Sequence, residues 1–319
     1  MNASAIPARR IAAYAAGEFG PGKIATNADA AKAGWSTLIL GLFHIGYPPD
    51  QNEAEIFFND LSIIDGGDYK AGPEWPAAIA SLKQNSPIKE IYASIGGGEP
   101  VVDFATIRKI YEKNGNSFEG TLLKKNLEVF CDNFKMIDGI DMDCEDADDP
   151  DDPGDLASFV AFCEMLIDMG FGITFCPYKS WRKSFWVDAL QRLEQSHKGA
   201  VKWWNLQCYD GGDGNDPKDW ATAITGAMPE FSTDGFILAS DWARFYDKDR
   251  QSWGGDCPQA VQTKISPFAA QACVGGAFIW SMDAILHWGA NTKGCGKAVG
   301  VADYITAVRD ALQPVTPKR

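Results

Sequence analysis

Three carboxylates alternate along one short apolar stretch of this 319-residue chain. Asp141, Asp143 and Glu145 are separated only by Met142 and Cys144. A side-chain period of two is that of a β-strand, so the three acids would point to the same face. Carboxylates crowded on one face of a buried strand repel one another, so at least one should hold a proton near neutral pH. Glu145, the last acid of the row, is the candidate.

The same row has less specific interpretations, as the polar face of an exposed strand or as a cation-binding cluster. The Asp-rich segment 146–155 that follows does not fit the register of an EF-hand-like calcium loop. His44, His197 and His287 are too few and too scattered for a zinc site. We therefore predict no metal and no other cofactor. We expect segment 146–155 to be solvated, because it is too charged to pack.

Short apolar runs alternate with segments of helical period along the chain, which is typical of β-α units around a parallel sheet. The eight predicted strands span 10–16, 38–47, 88–95, 137–145, 172–178, 201–209, 235–240 and 275–281. The predicted helices span 27–33, 74–84, 104–114, 122–133, 156–169, 181–193, 220–227, 258–271 and 302–312. No interval is long enough for a second domain, so residues 1–319 are predicted to form a single (β/α)8 barrel without a large insertion domain. A doubly wound open sheet is the alternative architecture.

The active site of such a barrel forms where the carboxyl ends of the strands meet. The residues expected there besides the acid row are Ser94, Gly96, Gly97, Gln207, Tyr209, Trp280 and Asp283. Glycines at a strand end permit a sharp turn and the close approach of a ligand to the backbone. An acid row, a phenol and a large aromatic ring suit a sugar, because the ring stacks on its apolar C–H face while the acid protonates the glycosidic oxygen.

Four segments, in order, resemble motifs of a known family. Residues 138–145 read D-G-I-D-M-D-C-E, which resembles the D-G-x-D-x-D-x-E signature of the family 18 glycoside hydrolases, the chitinases and endo-β-N-acetylglucosaminidases. Residues 94–97 are similar to the family's S-x-G-G, 207–210 to its strand-six tyrosine motif and 275–280 to its G-G-x-x-x-W. The glycine-rich motifs are weak alone, but the acidic motif is specific and the ordered set spans most of the chain.

The resemblance implies substrate-assisted retaining hydrolysis, which needs no enzyme nucleophile. Glu145 would protonate the leaving oxygen while the substrate's 2-acetamido oxygen attacks the anomeric carbon, and would then act as base on water. Asp143 would orient the acetamide, with Asp141 behind it sharing a proton. Tyr209 would hydrogen-bond the acetamide oxygen, and Trp280 would form the floor of the subsite.

Simpler roles stay open for several of these residues. Asp138 has the opposite side-chain parity to the acid row and is expected to serve folding rather than catalysis. Trp280 and Tyr209 could be ordinary core aromatics, and Ser94 could be a packing hydroxyl in a glycine turn.

Three functions follow from this pattern. The first is a chitinase whose partner is chitin or another N-acetylglucosamine-containing oligosaccharide, and the second is an endo-β-N-acetylglucosaminidase acting on the chitobiose core of N-glycans. The third is an inactive chitin-binding or lectin-like barrel, although relatives of that kind usually lack the terminal acid that Glu145 provides here. The short interval between the last two predicted strands implies that the small α+β insertion of many chitinases is missing, which predicts a shallow groove and endo-type cleavage.

The net charge of −14 would repel nucleic acid and anionic membranes, so neither is an expected partner, and the protein is expected to be a monomer. No apolar run approaches the ~20 residues of a membrane span. Residues 1–10 lack the hydrophobic core of a signal peptide. This is compatible with a cytoplasmic protein, with a secreted protein whose signal peptide has been trimmed, or with export by a non-Sec route. Most of the eight cysteines are expected to be buried thiols of a reducing compartment, with Cys257 and Cys295 as the best candidates for a disulfide.

Overall fold

The computed structural model describes residues 9–46, 53–98 and 100–313. Its strands are β1 (Arg10–Ala15), β2 (Thr37–Ile45), β3 (Ile56–Phe58), β4 (Leu61–Asp65), β5 (Asp68–Tyr69), β6 (Glu90–Gly96), β7 (Gly139–Asp143), β8 (Gly172–Phe175), β9 (Val201–Asn205), β10 (Ile237–Trp242), β11 (Phe245–Asp247), β12 (Ser252–Gly254) and β13 (Val274–Trp280). Its α-helices are α1 (Ile24–Lys32), α2 (Glu74–Leu82), α3 (Asp103–Lys113), α4 (Leu122–Asn133), α5 (Pro153–Asp168), α6 (Lys183–Ser196), α7 (Pro217–Ala227), α8 (Pro258–Ile265), α9 (Met282–Trp288), α10 (Thr292–Cys295) and α11 (Val301–Ala311). Short 3-10 helices span Gly17–Phe19, Ser180–Arg182 and Phe268–Ala270.

Eight of these strands form a closed barrel. They pair in parallel in the order β1, β2, β6, β7, β8, β9, β10 and β13, and β13 pairs with β1 again. Between β10 and β13 the chain forms only the hairpin β11–β12, the helix α8 and a 3-10 helix. The predicted (β/α)8 barrel without a large insertion domain is therefore confirmed, and the open doubly wound sheet is wrong because the sheet closes.

Several elements differ from the prediction. The acid strand is shorter, because β7 ends at Asp143 and Glu145 follows in the exit loop. The helix predicted over 258–271 ends early, at Ile265, and a 3-10 turn follows Pro267, whose ring cannot continue an α-helix. The hairpins β3–β5 and β11–β12 and the helices α9 and α10 are additional to the predicted elements. The predicted end of the second strand at residue 47 lies outside the described residues.

The strands separate two apolar cores. The inner core fills the barrel and consists of Ala12, Tyr14, Ile39, Tyr92, Cys176, Trp203, Tyr209, Leu238 and Phe278. The outer core lies between strands and helices, and from β7 it receives Ile140 and Met142. Because side chains alternate along a strand, Asp141 and Asp143 have the inward parity that the sequence predicts.

The cysteines agree in part with the prediction. Cys257 and Cys295 form a disulfide with an S–S distance of 1.98 Å, which confirms the predicted pair. Five of the six free cysteines are buried: Cys144, Cys163, Cys176, Cys208 and Cys273. The compartment stays a prediction, and residues 1–8, on which the signal-peptide argument depends, lie outside the described residues. Over the described ranges, every helix is too short or too polar to cross a membrane.

Candidate active site

Asp141 lies fully buried in the barrel and accepts four hydrogen bonds. Its Oδ2 accepts from the hydroxyls of Tyr14 (2.7 Å) and Ser94 (2.8 Å). Its Oδ1 accepts from the hydroxyl of Thr174 (2.7 Å) and the amide of Asn205 (2.8 Å). Strand register explains two of these bonds, because Ser94 and Thr174 lie directly opposite Asp141 on its neighbouring strands. Burial raises the pKa of Asp141, whereas the four donors lower it.

These contacts determine what Asp141 and Ser94 can do. Both oxygens of Asp141 are occupied by donors from the protein, so the carboxyl has neither a free face for a cation nor one for a substrate. Ser94 is fully buried, so the structure brings it to Asp141 rather than to the surface of a cavity where a substrate would lie. No group of three His, Cys, Asp or Glu side chains in the described residues is arranged to hold a metal ion.

Asp143 and Glu145 share one hydrogen-bond donor. The amide nitrogen Nε2 of Gln207 lies 3.0 Å from Oδ1 of Asp143 and 3.1 Å from Oε1 of Glu145. Burial, followed by the charges of Glu145 and Asp141, raises the pKa of Asp143 well above its usual value. Burial also raises the pKa of Glu145, while the Gln207 hydrogen bond and the charge of Lys179 lower it. The raised pKa of each carboxyl favours a bound proton on this pair, as the crowded acid row predicts.

An open cavity of about 460 Å³ lies over this pair, within the size range of small-molecule sites. Its lining consists of Leu42, Gly97, Gly98, Asp143, Glu145, Tyr178, Lys179, Gln207, Tyr209, Asp210 and Trp280. Six of the predicted site residues therefore meet here: Gly97, Asp143, Glu145, Gln207, Tyr209 and Trp280. These residues come from four different strand ends, as expected at the carboxyl end of a barrel.

The glycines after β6 allow this strand to approach the acid strand closely. Gly96 and Gly97 have φ of +116° and +114°, which side chains rarely tolerate. A Cβ at Gly96 would collide with the backbone carbonyl of Asp143, and a Cβ at Gly97 would come within 2.6 Å of Leu42 Cδ1. The backbone N–H of Gly97 donates to the carbonyl oxygen of Asp143 at 2.8 Å. Gly96 thus serves strand packing, while Gly97 also borders the cavity.

A second cavity of about 460 Å³ adjoins the first and shares Tyr209, Asp210 and Trp280 with it. The remainder of its lining consists of Glu18, Trp242, Ala243, Phe245, Ser281, Asp283, Ala284, His287 and Trp288. Trp242 stacks on Tyr209, with ring centroids 5.9 Å apart and an interplanar angle of 18°. We refer to these two adjoining cavities together as the cleft, and its aromatic walls suit the apolar faces of sugar rings.

Asp283 borders the second cavity rather than the acid row. Its Oδ2 accepts from the backbone N–H of Ala16 at 2.6 Å, and its Oδ1 accepts from that of Glu18 at 2.7 Å. Burial raises the pKa of Asp283, and these backbone bonds lower it. The carboxylate predicted to bind substrate therefore anchors the loop that follows β1.

Asp138 is separate from the row, as its parity predicts. Its Oδ2 accepts from the backbone N–H of Ile91 at 2.7 Å and from Nζ of Lys83 at 2.5 Å. These contacts fix the start of β7 against β6 and α2, which is a structural role.

The Asp-rich exit loop is solvated only in part, with Asp151 exposed, so the prediction that it is too charged to pack was wrong. Asp148 and Asp155 are buried, with 4% and 7% of their surface exposed. Nζ of Lys179 lies 3.5 Å from Oδ1 of Asp148, and Arg108 donates to Asp155 at 2.6 Å. Arg182 forms a further ion pair with Asp149 at 2.5 Å. Counterions from the β8 exit and from α3 compensate the charge and let the loop pack.

Two cavity residues missed by the sequence reasoning follow β8. Tyr178 lines the cavity, and its hydroxyl donates to the carbonyl oxygen of Asp210 at 2.7 Å. Lys179 lines the same cavity and donates to the backbone carbonyl oxygen of Glu145 at 2.5 Å. The only signal in the sequence is their position at the end of the fifth predicted strand, where a barrel enzyme carries site residues.

Comparison with known proteins finds similarity in structure alone. No protein-family model and no curated protein sequence matches the chain. A GH18 chitinase from Pseudoalteromonas aurantia is 16% identical, with a TM-score of 0.61 over 95% of this chain and 100% of that chain. A class V chitinase from Pseudomonas fluorescens Pf-5 is 14% identical, with a TM-score of 0.58 over 96% and 100%. An endo-β-N-acetylglucosaminidase from Cordyceps militaris is 11% identical, with a TM-score of 0.50 over 96% and 91%.

These structures define the class of fold. The chain has the (β/α)8 fold of the family 18 glycoside hydrolases, over nearly its whole length. The resemblance that the acidic motif indicates is thereby confirmed at the level of fold.

Proposed function

We propose that this protein is a family 18 glycoside hydrolase that cleaves the β-1,4 linkages of chitin or chitooligosaccharides with retention of configuration. The observation that carries the proposal is the position of Glu145. Its carboxyl lines an open cavity at the carboxyl end of the barrel, and burial raises its pKa, as a general acid requires. Asp143 lies beside it on the same Gln207 amide.

In the proposed first step, Glu145 gives its proton to the glycosidic oxygen as the bond to the anomeric carbon breaks. The carbonyl oxygen of the substrate's 2-acetamido group attacks that carbon and forms an oxazolinium ion. Asp143 stabilises the positive charge on the acetamide nitrogen, and Tyr209 donates to the acetamide oxygen. In the second step Glu145 takes a proton from a water molecule as the water oxygen attacks the anomeric carbon. The bond between that carbon and the acetamide oxygen breaks, which opens the ring of the intermediate, and Glu145 is again the protonated acid.

The surroundings of the other acids favour this substrate-assisted route over an enzyme nucleophile. Asp141 has both oxygens occupied by four donors. Asp143 is 5% exposed and its Oδ1 accepts from Gln207, so it is poorly placed to attack the anomeric carbon. The acetamide of the substrate provides the nucleophile that these two carboxyls do not.

The shape of the cleft favours a chain-like substrate. Two adjoining cavities share Trp280, so a polymer can extend on both sides of this ring. The interval between β10 and β13 contains only a hairpin, a short helix and a 3-10 helix, and leaves the cleft open. An open cleft supports endo-type cleavage of chitin, whereas a processive enzyme releasing only dimers from chain ends would contradict it.

The decisive experiment compares wild type with Glu145→Gln on chitohexaose and on a high-mannose glycoprotein. We expect wild type to hydrolyse chitohexaose, with the β-anomer as initial product by ¹H NMR, and Glu145→Gln to lose at least about 10³-fold in kcat. Cleavage of the glycoprotein alone would favour an endo-β-N-acetylglucosaminidase. Binding of chitohexaose with equal background rates in both proteins would identify a lectin-like barrel. Hydrolysis of cellulose, which has no acetamide, would refute the mechanism.

A further inference from the structure

Lys179 contacts the backbone of the proposed general acid. Its Nζ donates to the carbonyl oxygen of Glu145 at 2.5 Å and lies 3.5 Å from Oδ1 of Asp148. The side chain of Asp148 is only 4% exposed and that of Lys179 only 23%, so this ion pair is largely shielded from water. Lys179 also lines the catalytic cavity. One ammonium group therefore joins the general acid, its exit loop and the end of β8.

Glu145 needs such a contact because it lies beyond the end of β7, where the hydrogen bonds of the sheet no longer hold the backbone. β7 ends at Asp143, whose carbonyl oxygen accepts from the N–H of Gly97. On one side of Glu145, the carboxylate of Asp146 accepts the N–H of Ala105 in α3 at 2.9 Å. On the other side, Lys179 holds the carbonyl oxygen of Glu145 itself. The exit loop is thus held between α3 and the end of β8.

Building on the proposed function, we propose that Lys179 is a positioning residue, which fixes the backbone of Glu145 so that its carboxyl stays within reach of the glycosidic oxygen. Proton transfer requires heavy atoms within hydrogen-bond distance, and a displacement of about 1 Å can cost about 10²-fold in rate. Rotation about the backbone φ and ψ angles that flank the peptide between Glu145 and its loop would allow such a displacement. The bond to the carbonyl oxygen removes this freedom.

The charge of Lys179 adds a second effect. Its ammonium favours the carboxylate form of Glu145 and so lowers the pKa that burial raises. The same carboxyl must give a proton in the first step and take one in the second, and a pKa near the working pH serves both. Among the described residues, the other polar or titratable groups around Glu145 are Asp143, Asp148, Cys176, Tyr178, Gln207, Tyr209 and Asp210.

The test uses Lys179→Met and Lys179→Arg, with Lys183→Met as the matched control. Lys183 is a neighbouring lysine whose Nζ lies over the ring of Trp220, with 5.1 Å to the centroid. On chitohexaose we expect Lys179→Met to lower kcat by about 10- to 100-fold with KM within about threefold. The basic limb of its pH–rate profile should move to higher pH, because Glu145 keeps its proton longer. In Lys179→Arg the basic limb of the pH–rate profile should stay at the wild-type pH, because arginine keeps the positive charge. Lys183→Met should match wild type.

A double variant separates positioning from stability. Lys179→Met leaves the buried Asp148 with Arg182, at 3.9 Å, as its remaining counterion, and losing the Lys179 charge destabilises the loop for electrostatic reasons alone. Adding Asp148→Asn removes that charge, so we expect the melting temperature to recover while kcat stays low. Recovery of kcat together with stability would overturn the proposal.

A measurement without substrate distinguishes failure of this inference from failure of the proposed function. Amide hydrogen exchange of residues 146–149 should be at least about tenfold faster in Lys179→Met than in wild type and Lys183→Met. If wild type proves inactive on every N-acetylglucosamine substrate, the proposed function fails, but faster exchange would still support the anchoring of Glu145. Unchanged exchange, or an unchanged kcat and basic limb in an active enzyme, would refute the role of Lys179.

Discussion

The side-chain amide of Gln207 donates a hydrogen bond to Glu145, with 3.1 Å between Nε2 and Oε1. The same nitrogen lies 3.0 Å from Oδ1 of Asp143, so one amide holds the proposed acid and its neighbour in fixed relative positions. A neutral donor can do this without adding charge to a buried site. The sequence suggested a substrate contact for Gln207, whereas the structure gives it this bridging role beside the cavity.

Gln207→Leu should therefore change the pH dependence as well as the rate. Removing the donor takes away an interaction that lowers the pKa of Glu145, so this pKa rises further. We expect the basic limb of the pH–rate profile to move to higher pH and kcat to fall by about tenfold or more on loss of the bridge. Gln191→Leu, at a partly buried glutamine of α6 whose amide donates to the carbonyl oxygen of Ala227 at 3.4 Å, is the control and should match wild type. A lower kcat with an unchanged limb would contradict the bridging role.

Asp141→Asn should destabilise the protein, because an amide presents donors where four donors already point. Its new NH2 group must face either the Tyr14 and Ser94 hydroxyls or the Thr174 and Asn205 donors. An unsatisfied buried polar group costs about 1–3 kcal/mol. We expect a loss of this size in the free energy of unfolding by urea denaturation. Asp188→Asn, at an exposed position of α6, should have no effect. Equal stability of both variants would contradict the network.

The raised pKa of Asp241, a β10 residue outside the acid row, predicts that the stability of the protein depends on pH. Asp241 is fully buried, and burial followed by the charge of Asp256 raises its pKa to about 7. An unfolded aspartate titrates near pH 3.9. Between these values the native state binds more protons than the unfolded state, so the stability due to Asp241 is complete below about pH 4 and is lost as pH rises to about 7.

Asp241→Asn should therefore flatten the fall in stability between pH 5 and pH 8. The measurement is urea denaturation of wild type and variant at both pH values. Asp310→Asn, at an exposed position of α11, is the control and should keep the slope of wild type. An identical slope in wild type and Asp241→Asn would show that Asp241 ionises normally in the native protein.

The disulfide between Cys257 and Cys295 should stabilise the chain by closing a loop with a sequence separation of 38. For a loop of this length, about 2–4 kcal/mol is typical. We expect the double variant Cys257→Ser/Cys295→Ser to lose stability in this range. A reductant should lower the melting temperature of wild type and leave that of the double variant unchanged. Equal sensitivity to the reductant would mean that another cysteine contributes.

Side-chain period and strand order were sufficient to predict the barrel and the acid row. The alternation of Asp141 and Asp143 sets their common face, and the order of strands brings Tyr209 and Trp280 to the same end. These inferences need only local pattern and the geometry of a parallel barrel.

Contacts between distant segments could not be predicted in this way. Lys179 and Arg108 neutralise the Asp-rich loop, yet neither is near it in the sequence, so the loop seemed too charged to pack. Ser94 and Asp283 were predicted at the correct strand ends. Side-chain alternation along a strand does not, however, determine which polar group a side chain contacts, here Asp141 for Ser94 and the loop after β1 for Asp283. The hairpin β3–β5 was missed because Gly66 and Gly67 lie in its last turn and gave the segment the composition of a loop.

Trp288→Ala tests whether the second cavity takes part in binding a chain. Trp288 lines this cavity and packs on Tyr246 and Trp253, outside the acid row. Stacking of an aromatic ring is worth about 0.5–1.5 kcal/mol, and 1.4 kcal/mol corresponds to about tenfold in binding. We expect kcat/KM to fall by about 2- to 10-fold on chitohexaose and to change little on a short substrate such as chitotriose. A matched loss on both substrates would indicate a folding defect, and no loss on either would exclude the second cavity from the path of the chain.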